Sequence, residues 1–396
     1  MCGTFTSGCE IFRLQVGAGV CPEFGDSSSV GRLRRGTKSV PYTWRFARQR
    51  LYMNHSGAAN RPFHLASAAV VHTLVLFMTR HSLAVLLLSV FATLAHAADY
   101  PVRPITFIVP WGAGGGTDAV GRVMASLLER DLGRPVNVVN RTGGSGVVGH
   151  SAIANARADG YTIGILTVEI AMMHHQNLTK LTGASFTPLG MINLDPTAIQ
   201  VRPDSPYAGL RELLDAIRAQ PGKLKASGTA HGGIWHVALC GLLQEQKIAP
   251  DAVVWVPSAS NAAGLLDLVA SGVDLVPGSH PEGRSLIDAG KVKSLVILDE
   301  KPSSLYPKVP TGADAIGTRW QMGAWRGIGA PKNLPKAIEA RLQAAVKKAY
   351  ESKEFEEFMK QRGFGMRWAG PPDFAAFMAE EDKKMGVVMK AVGLAK

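Results

Sequence analysis

Cysteine is nearly missing from the body of this chain. Four occur in 396 residues, and three of them, Cys2, Cys9 and Cys21, fall within the first 21. Cys240 stands alone in the remainder, which excludes an internal disulfide and a cysteine-built metal site there. Cys240 itself lies in an apolar helical pattern and reads as core. No H-x-x-x-H pair or carboxylate cluster suggests a metal. His174-His175 are adjacent, and adjacent residues of a helix or strand do not share a face, so they read as solvent or edge residues. No segment repeats at a fixed period. Nor does any dense basic run with interleaved aromatics occur beyond residue 97. The formal charge is +12, but half of it lies in residues 1–77, which hold nine Lys/Arg and three Asp/Glu. The rest is close to balanced, which argues against nucleic acid as a partner.

A long apolar run is also missing. The longest, LAVLLLSVFATL after Ser82, is too short to span a bilayer comfortably. It follows Met78-Thr79-Arg80-His81 and precedes Ala95-His96-Ala97. A short positive segment, an apolar segment and an A-x-A site in that order predict a signal peptide over 78–97 and a mature chain from Ala98. Residues 1–77 precede it. Through residue 60 they are rich in Gly, Ser and Arg without sustained periodicity, and they read as an untranslated or disordered extension.

From Ala98 onward, strand-like and helix-like segments alternate. The strand-like runs are 105–109, 136–139, 162–166, 198–201, 253–256, 273–276 and 292–297. The helix-like runs are 119–132, 147–156, 208–219, 234–246, 260–270, 281–289, 335–350, 353–361 and 372–391. This alternation predicts an α/β protein with parallel sheets covered by helices on both faces. Pro203 and Pro206 mark one break, and the glycine-rich stretch 317–329 marks another. The expected organisation is a discontinuous first lobe, 98–202 plus 324–396, and a second lobe, 203–323.

The chain is organised around ITFIVPWGAGGGTDAVGR at 105–122. A buried strand runs into Trp111, Gly112, Ala113, Gly114, Gly115, Gly116, Thr117 and Asp118. A helix follows whose apolar residues Val120, Val123, Met124, Leu127, Leu128 and Leu132 share one face. Thr117 or Asp118 is the expected N-cap. Free N–H groups of such a loop, backed by the helix dipole, make an anion site, with Trp111 as an apolar wall. A dinucleotide fingerprint fits poorly, because its third glycine would fall at Thr117 and the next strand ends in Asn140-Arg141 rather than an acid. That arginine leaves NADP as the tolerable form.

Four further loops precede helices in the same way. Asn140 to Gly146 contains Gly144 and Ser145; Ser145 is no nucleophile elbow, because Val147 stands where glycine is required. Asn140 is expected to hold this loop and Arg141 to brace it. Ser227, Gly228, Thr229, His231, Gly232 and Gly233 form the third, with His236 either core or cleft. Ser258 and Ala259, with Ser260 and Asn261, form the fourth. Ser279 and His280 form the fifth. Thr167 and Glu169, after the run at 162–166, complete the candidate set. Asp118 and Glu169 are the only carboxylates in these loops, so no catalytic acid–base pair stands out. Trp235 and Trp325 read as core.

The motifs VPWGAGGGTD at 109–118, NRTGGSGVVG at 140–149, ADGYT at 158–162, PGKLKASGT at 221–229, VDLVPGS at 273–279 and AGKVKSL at 289–295 come in a specific order. In that order the chain resembles the tripartite tricarboxylate transporter receptors, also called Bug receptors. The resemblance covers about 99–396. It implies a type II periplasmic-binding-protein fold: two α/β lobes, a ligand cleft and two crossover strands. It also implies a non-enzymatic, monomeric periplasmic receptor with no cofactor and no metal. Such a receptor captures a small organic carboxylate and passes it to a large and a small membrane subunit. The family's carboxylate-gripping loops map onto 111–118 and 227–233. Ser258-Ala259-Ser260 stands where Tyr-Lys-Gly is frequent, which removes a tyrosine and a lysine near the cleft. The alternative class is an α/β enzyme binding NADP or a phosphate ligand.

Overall fold

The computed structural model describes residues 100–395. The extension 1–77, the signal segment 78–97 and the first three cysteines lie outside the described residues.

The opening stretch folds as β1 (Ile105–Val109) and α1 (Gly116–Leu132). Val120, Met124, Leu128 and Leu132 of α1 are buried against the sheet, and Gly133 closes the helix in the left-handed conformation. Gly121 lets the helix lie close on the strands: a Cβ there would meet Val109 Cγ2 at 2.9 Å. Next come β2 (Val136–Asn140), α2 (Val147–Ala154), β3 (Thr162–Thr167) and the long β4 (Phe186–Val201). The middle of the chain gives α3 (Leu210–Ala219), β5 (Lys225–Ser227), α4 (Ile234–Glu245), β6 (Val254–Val256) and α5 (Asn261–Val269). It continues with β7 (Leu275–Gly278), α6 (His280–Asp288), β8 (Lys293–Leu298) and the short α7 (Gly312–Ile316). The last part holds β9 (Gly323–Pro331), α8 (Lys336–Tyr350), α9 (Lys353–Arg362), β10 (Met366–Ala369) and α10 (Pro371–Ala391).

The strands run β2-β1-β3-β9-β4-β7-β5-β6, with β8 and β10 also pairing β4. Strand β4 belongs to both lobes. Phe186 to Pro196 pair antiparallel with β9 in the first lobe, while Ala198 to Val201 pair antiparallel with β7 and β8 in the second. The expectation of parallel sheets therefore holds for β1–β2, β1–β3, β5–β6 and β5–β7, and fails at the long strands β4 and β9. In the first lobe α1, α8 and α9 cover one face, with Val120, Met124, Leu342, Val346 and Phe355 in one core cluster. On the other face Ile153, Phe374, Met378 and Met385 belong to a second. A third cluster lies between the second lobe's strands and α3 and α4, around Leu213, Ile217, Leu239 and Leu242.

Two sequence expectations are corrected. Residues 317–329 are not a simple break, because Gly323–Pro331 is a strand buried almost throughout. The run 198–201 is only the end of a strand of 16 residues. Pro188, Gly190, Asn193, Asp195 and Pro196 hide the rest of it, being types that ordinary strands avoid.

Candidate functional site

Four helix N-termini converge where the lobes meet. Gly115, Gly116 and Thr117 open α1; Ile234 and Trp235 open α4; Ser260 and Asn261 open α5; Glu282 lies in the first turn of α6. All of them line one cavity of about 20 Å³, together with Trp111, Thr167, Glu169, Thr229, Ala324, Trp325 and Arg326. That volume is room for about one water molecule. Each helix start lies at the cavity wall, where the partial positive charge of its N-terminus is felt. Ser260 caps α5 through Ala263 N–H, and Ser279 with Glu282 forms a capping box on α6, whereas α1 has no side-chain cap.

Arg326 is the basic residue of the wall. Its side chain is 2% exposed and nearly all its donors are committed. Nε donates to Thr117 Oγ1 at 2.9 Å, and Nη1 donates to Asn193 Oδ1 and Asp195 Oδ2 at 2.5 Å. Nη2 reaches Glu282 Oε1 at 3.5 Å across the cleft. The acids are Glu169 and Glu282. Thr167 Oγ1 donates to Glu169 Oε2 at 2.5 Å, and Ile234 N–H at the start of α4 donates to Oε1 at 3.4 Å. Burial pushes both carboxyls above the usual range; hydrogen bonds oppose it at Glu169, and Arg326 opposes it at Glu282. His150, completely buried, lies behind Thr167. Its Nδ1 donates to Gly146 O at 2.8 Å, and Nε2 accepts Thr167 N–H at 3.2 Å, so the ring is the neutral Nδ1–H form. Burial lowers its pKa to about 4.

Three buried polar atoms of the wall have no protein partner: Trp325 Nε1, Thr229 Oγ1 and Asn261 Oδ1. The first is a donor, the last an acceptor, and the hydroxyl is either. Buried polar groups without partners are uncommon, and here three share one cavity with four helix ends. Such a wall is suited to hold a small polar guest by main-chain amides and fixed dipoles.

The model of tripartite tricarboxylate transporter family receptors matches residues 120–394. The chain belongs to this family. The UPF0065 protein of the tcbD–tcbE intergenic region in Pseudomonas sp. strain P51 is 30% identical over 290 residues, covering 72% of this chain and 85% of that one. Among solved structures, the periplasmic binding protein BugD is 27% identical with a TM-score of 0.71, covering 75% of this chain and 100% of BugD. MatC of Rhodopseudomonas palustris, with bound malate, is 26% identical with a TM-score of 0.68, covering 73% and 99%. The fold is that of the periplasmic binding proteins, two α/β lobes joined by crossover strands. No helix among the described residues is long and apolar enough to cross a membrane.

Within this receptor fold, the structure brings Trp111, Gly115, Gly116, Thr117, Thr167, Glu169 and Thr229 to the cavity. Other expected residues join the lobes to each other instead. Gly112 N–H donates to Ala259 O at 3.3 Å, Ser145 Oγ to His231 O at 3.1 Å, and Gln176 Nε2 to Gly232 O at 3.1 Å. Several face away from the cavity. Ala113 and Gly144 are exposed. Ser227 Oγ donates to Val256 O, and Ser258 Oγ to Gly228 O, so these residues tie β5 to the β6 loop. Gly233 caps α4, and Ser279 positions Glu282. His280 is buried edge-on against Tyr306, outside the cavity wall.

Asp118 is also corrected. The helix starts at Gly116 with Gly115 as N-cap, so neither Thr117 nor Asp118 caps it. Asp118 accepts Gly114 N–H at 3.0 Å, Arg122 Nε at 2.9 Å and Asn140 Nδ2 at 2.9 Å. Burial raises its pKa, but these bonds outweigh it and hold the carboxyl below the usual range. These bonds fold the glycine loop back on itself. Asn140 also donates to Trp111 O, so it holds the first loop rather than its own. Arg141 is exposed. His236 is buried, stacks on Trp255 and accepts Gly232 N–H. Cys240 is buried, as core.

His174 and His175 are neither edge nor solvent residues. Their rings are 4.0 Å apart and both reach Asp382 of α10, at 3.2 and 3.3 Å. They sit in an irregular turn, where the helix and strand rule for adjacent residues does not apply.

Arg326, Glu282, Asn193, Asp195 and His150 were absent from the sequence candidates, and Trp235 and Trp325 read only as core. A signal for Arg326 existed: a single arginine between Trp325 and Ile328 in an otherwise apolar, glycine-rich stretch must be buried with an acid. Asn193 and Asp195, polar residues in the run MINLDPTAIQV, are its counterpart.

Proposed function

We propose that this chain is an exported, non-enzymatic receptor that captures a small organic carboxylate. As a monomer, it hands the ligand to the large and small membrane subunits of a tripartite tricarboxylate-type transporter. The moving bodies are 98–202 with 324–396, and 203–323, except that the end of β4, Ala198–Val201, pairs with the second lobe and moves with it. The carrying observation is the convergence of four helix N-termini on one cavity whose wall holds Arg326 and three unpartnered polar atoms. Backbone amides at the uncapped start of α1 take a carboxylate without needing a free cationic side chain. MatC with bound malate supports the same ligand chemistry. The cavity as closed is too small for such an acid, so the lobes part to admit it and close again by bending at the crossover strands.

A thermal-shift panel of mono-, di- and tricarboxylates tests this. An acid present at 100 times its dissociation constant stabilises the protein by about 2.7 kcal/mol. A panel in which no acid moves the midpoint, while a neutral or cationic solute does, overturns the carboxylate reading.

A further inference from the structure

The cavity wall carries two acids, Glu169 and Glu282, and one base. That base is already paired with a third acid, Asp195, at 2.5 Å behind the wall. The formal charge of this cluster is therefore negative before any ligand enters. Both wall acids are almost completely enclosed, with Glu169 at 2% exposure and the Glu282 side chain at 5%. Their pairing is also incomplete. Glu169 Oε1 has only a long bond, 3.4 Å, to Ile234 N–H, and Glu282 Oε1 only a long one, 3.5 Å, to Arg326. Asn261 adds a bare acceptor: its Nδ2 donates to Pro277 O, which leaves Oδ1 without a partner. Three under-used acceptors on one wall call for a donor from the guest.

Resting on the carboxylate reading above, we propose that the ligand carries a protonated amine beside its carboxylate. Glu169 and Glu282 are the residues that select it. The carboxylate sits at the start of α1, where no side chain caps the helix and Trp325 Nε1 offers a further donor. The ammonium faces the carboxyl oxygens and Asn261 Oδ1, where it neutralises charge that a second ligand carboxylate would increase. A plain dicarboxylate brings two more negative charges into a space that closure cuts off from water. A zwitterion brings none in net.

The test uses matched solutes that differ by one amine, with titration calorimetry and thermal shift on the purified protein: aspartate against succinate, glutamate against glutarate, β-alanine against propionate. Putrescine serves as the amine without a carboxylate. In at least one pair the amine-bearing member is expected to bind ten times more tightly or better, and Glu282→Gln and Glu169→Gln are each expected to cut that preference by about tenfold. The wild-type comparison needs no variant, so a misfolded variant does not remove the test. Acids that bind with no pair showing this preference overturn the proposal and leave the carboxylate reading standing. Putrescine binding while no acid binds supports the role of the two glutamates and overturns the carboxylate reading instead. Silence across all pairs and putrescine overturns both.

Discussion

Arg326 and Asp195 form an ion pair at 2.5 Å with side chains only 2% and 1% exposed. The pair joins the two crossover strands, β9 and β4, at the back of the cavity. Each partner has further hydrogen bonds: Asn193 and Thr117 on the arginine, and the Asn193 amide and Gly365 N–H on the aspartate. Removing one partner leaves a buried, uncompensated charge. Asp195→Ala is expected to lower unfolding stability by about 3–5 kcal/mol. Urea unfolding of the variant measures it. A loss under about 1 kcal/mol would mean that water or a neighbour replaces the aspartate.

The glycine loop gives a second prediction. A Cβ at Gly115 would lie 3.2 Å from Ser260 Cβ of the facing lobe. The Gly115→Val side chain therefore stands where the lobes meet, and ligand affinity is expected to fall at least about a hundredfold with little change in far-UV circular dichroism. Gly114 has open space beside it and φ +79. Gly114→Ala is expected to cost about 1 kcal/mol of stability through backbone strain without blocking closure.

The same contact can be used as a lock. Disulfides place Cβ atoms about 3.5–4.5 Å apart, close to the Gly115–Ser260 spacing. The double variant Gly115→Cys with Ser260→Cys is expected to oxidise readily and to lose ligand uptake, and dithiothreitol is expected to restore it only to the level of the reduced Gly115→Cys single variant, which the added side chain already weakens. Cys240, buried in α4, does not compete. Normal binding by the oxidised variant would show that ligand enters without lobe opening.

Asp118→Asn separates loop bracing from ligand contact. The carboxylate accepts three bonds within its own lobe. Losing its charge is expected to cost about 1.5–3 kcal/mol of stability, while affinity changes less than about tenfold. Denaturation and calorimetry on one preparation compare the two. A large affinity loss with unchanged stability would place the side chain on the ligand.

Three buried histidines set the acid side of the stability profile. Burial lowers His150 and His280 to about 4 and His236 to about 3, and a neighbouring imidazole, His231, adds to the last. A folded pKa below the unfolded value of about 6.5 means the unfolded chain binds more protons between the two. Their contribution is therefore complete above about pH 6.5 and is lost as pH falls towards 4, by about 1.4 kcal/mol per pH unit for each ring. Glu169 and Glu282, raised by burial, act in the opposite sense. Proton NMR of the imidazoles separates the two effects: the three rings are expected to stay neutral in the native protein at pH 5.5. Titration near 6.5 would contradict it.

Much of this fold is legible in the sequence because apolar runs of helical length stand between glycine and proline breaks. The runs 147–156, 234–246 and 335–350 each lie within two residues of α2, α4 and α8 at either end. The crossover strands were not legible for a physical reason. Pro188, Gly190 and Pro196 break the ladder pattern of β4, and β9 carries Gly323, Gly327 and Gly329 because neighbouring groups press on it: a Cβ at Gly329 would meet Leu166 Cδ1 at 2.3 Å. The glycine loop at 112–116 pointed by composition to part of the cavity wall, Gly115 and Gly116. The wall's acids and its arginine did not announce themselves, because Glu282 and Arg326 come from segments far apart in sequence and act only once the lobes meet.

The strand order has a consequence for how the protein is made. β3 finds its second neighbour only in β9, with Gly164 opposite Gly329, and β4 pairs with β9 up to Pro331. A nascent chain cannot complete its first sheet until almost all of it has left the ribosome. Until then β3 presents an unpaired edge, and the growing polypeptide has no finished core to resist being held extended by a chaperone or threaded through a narrow channel.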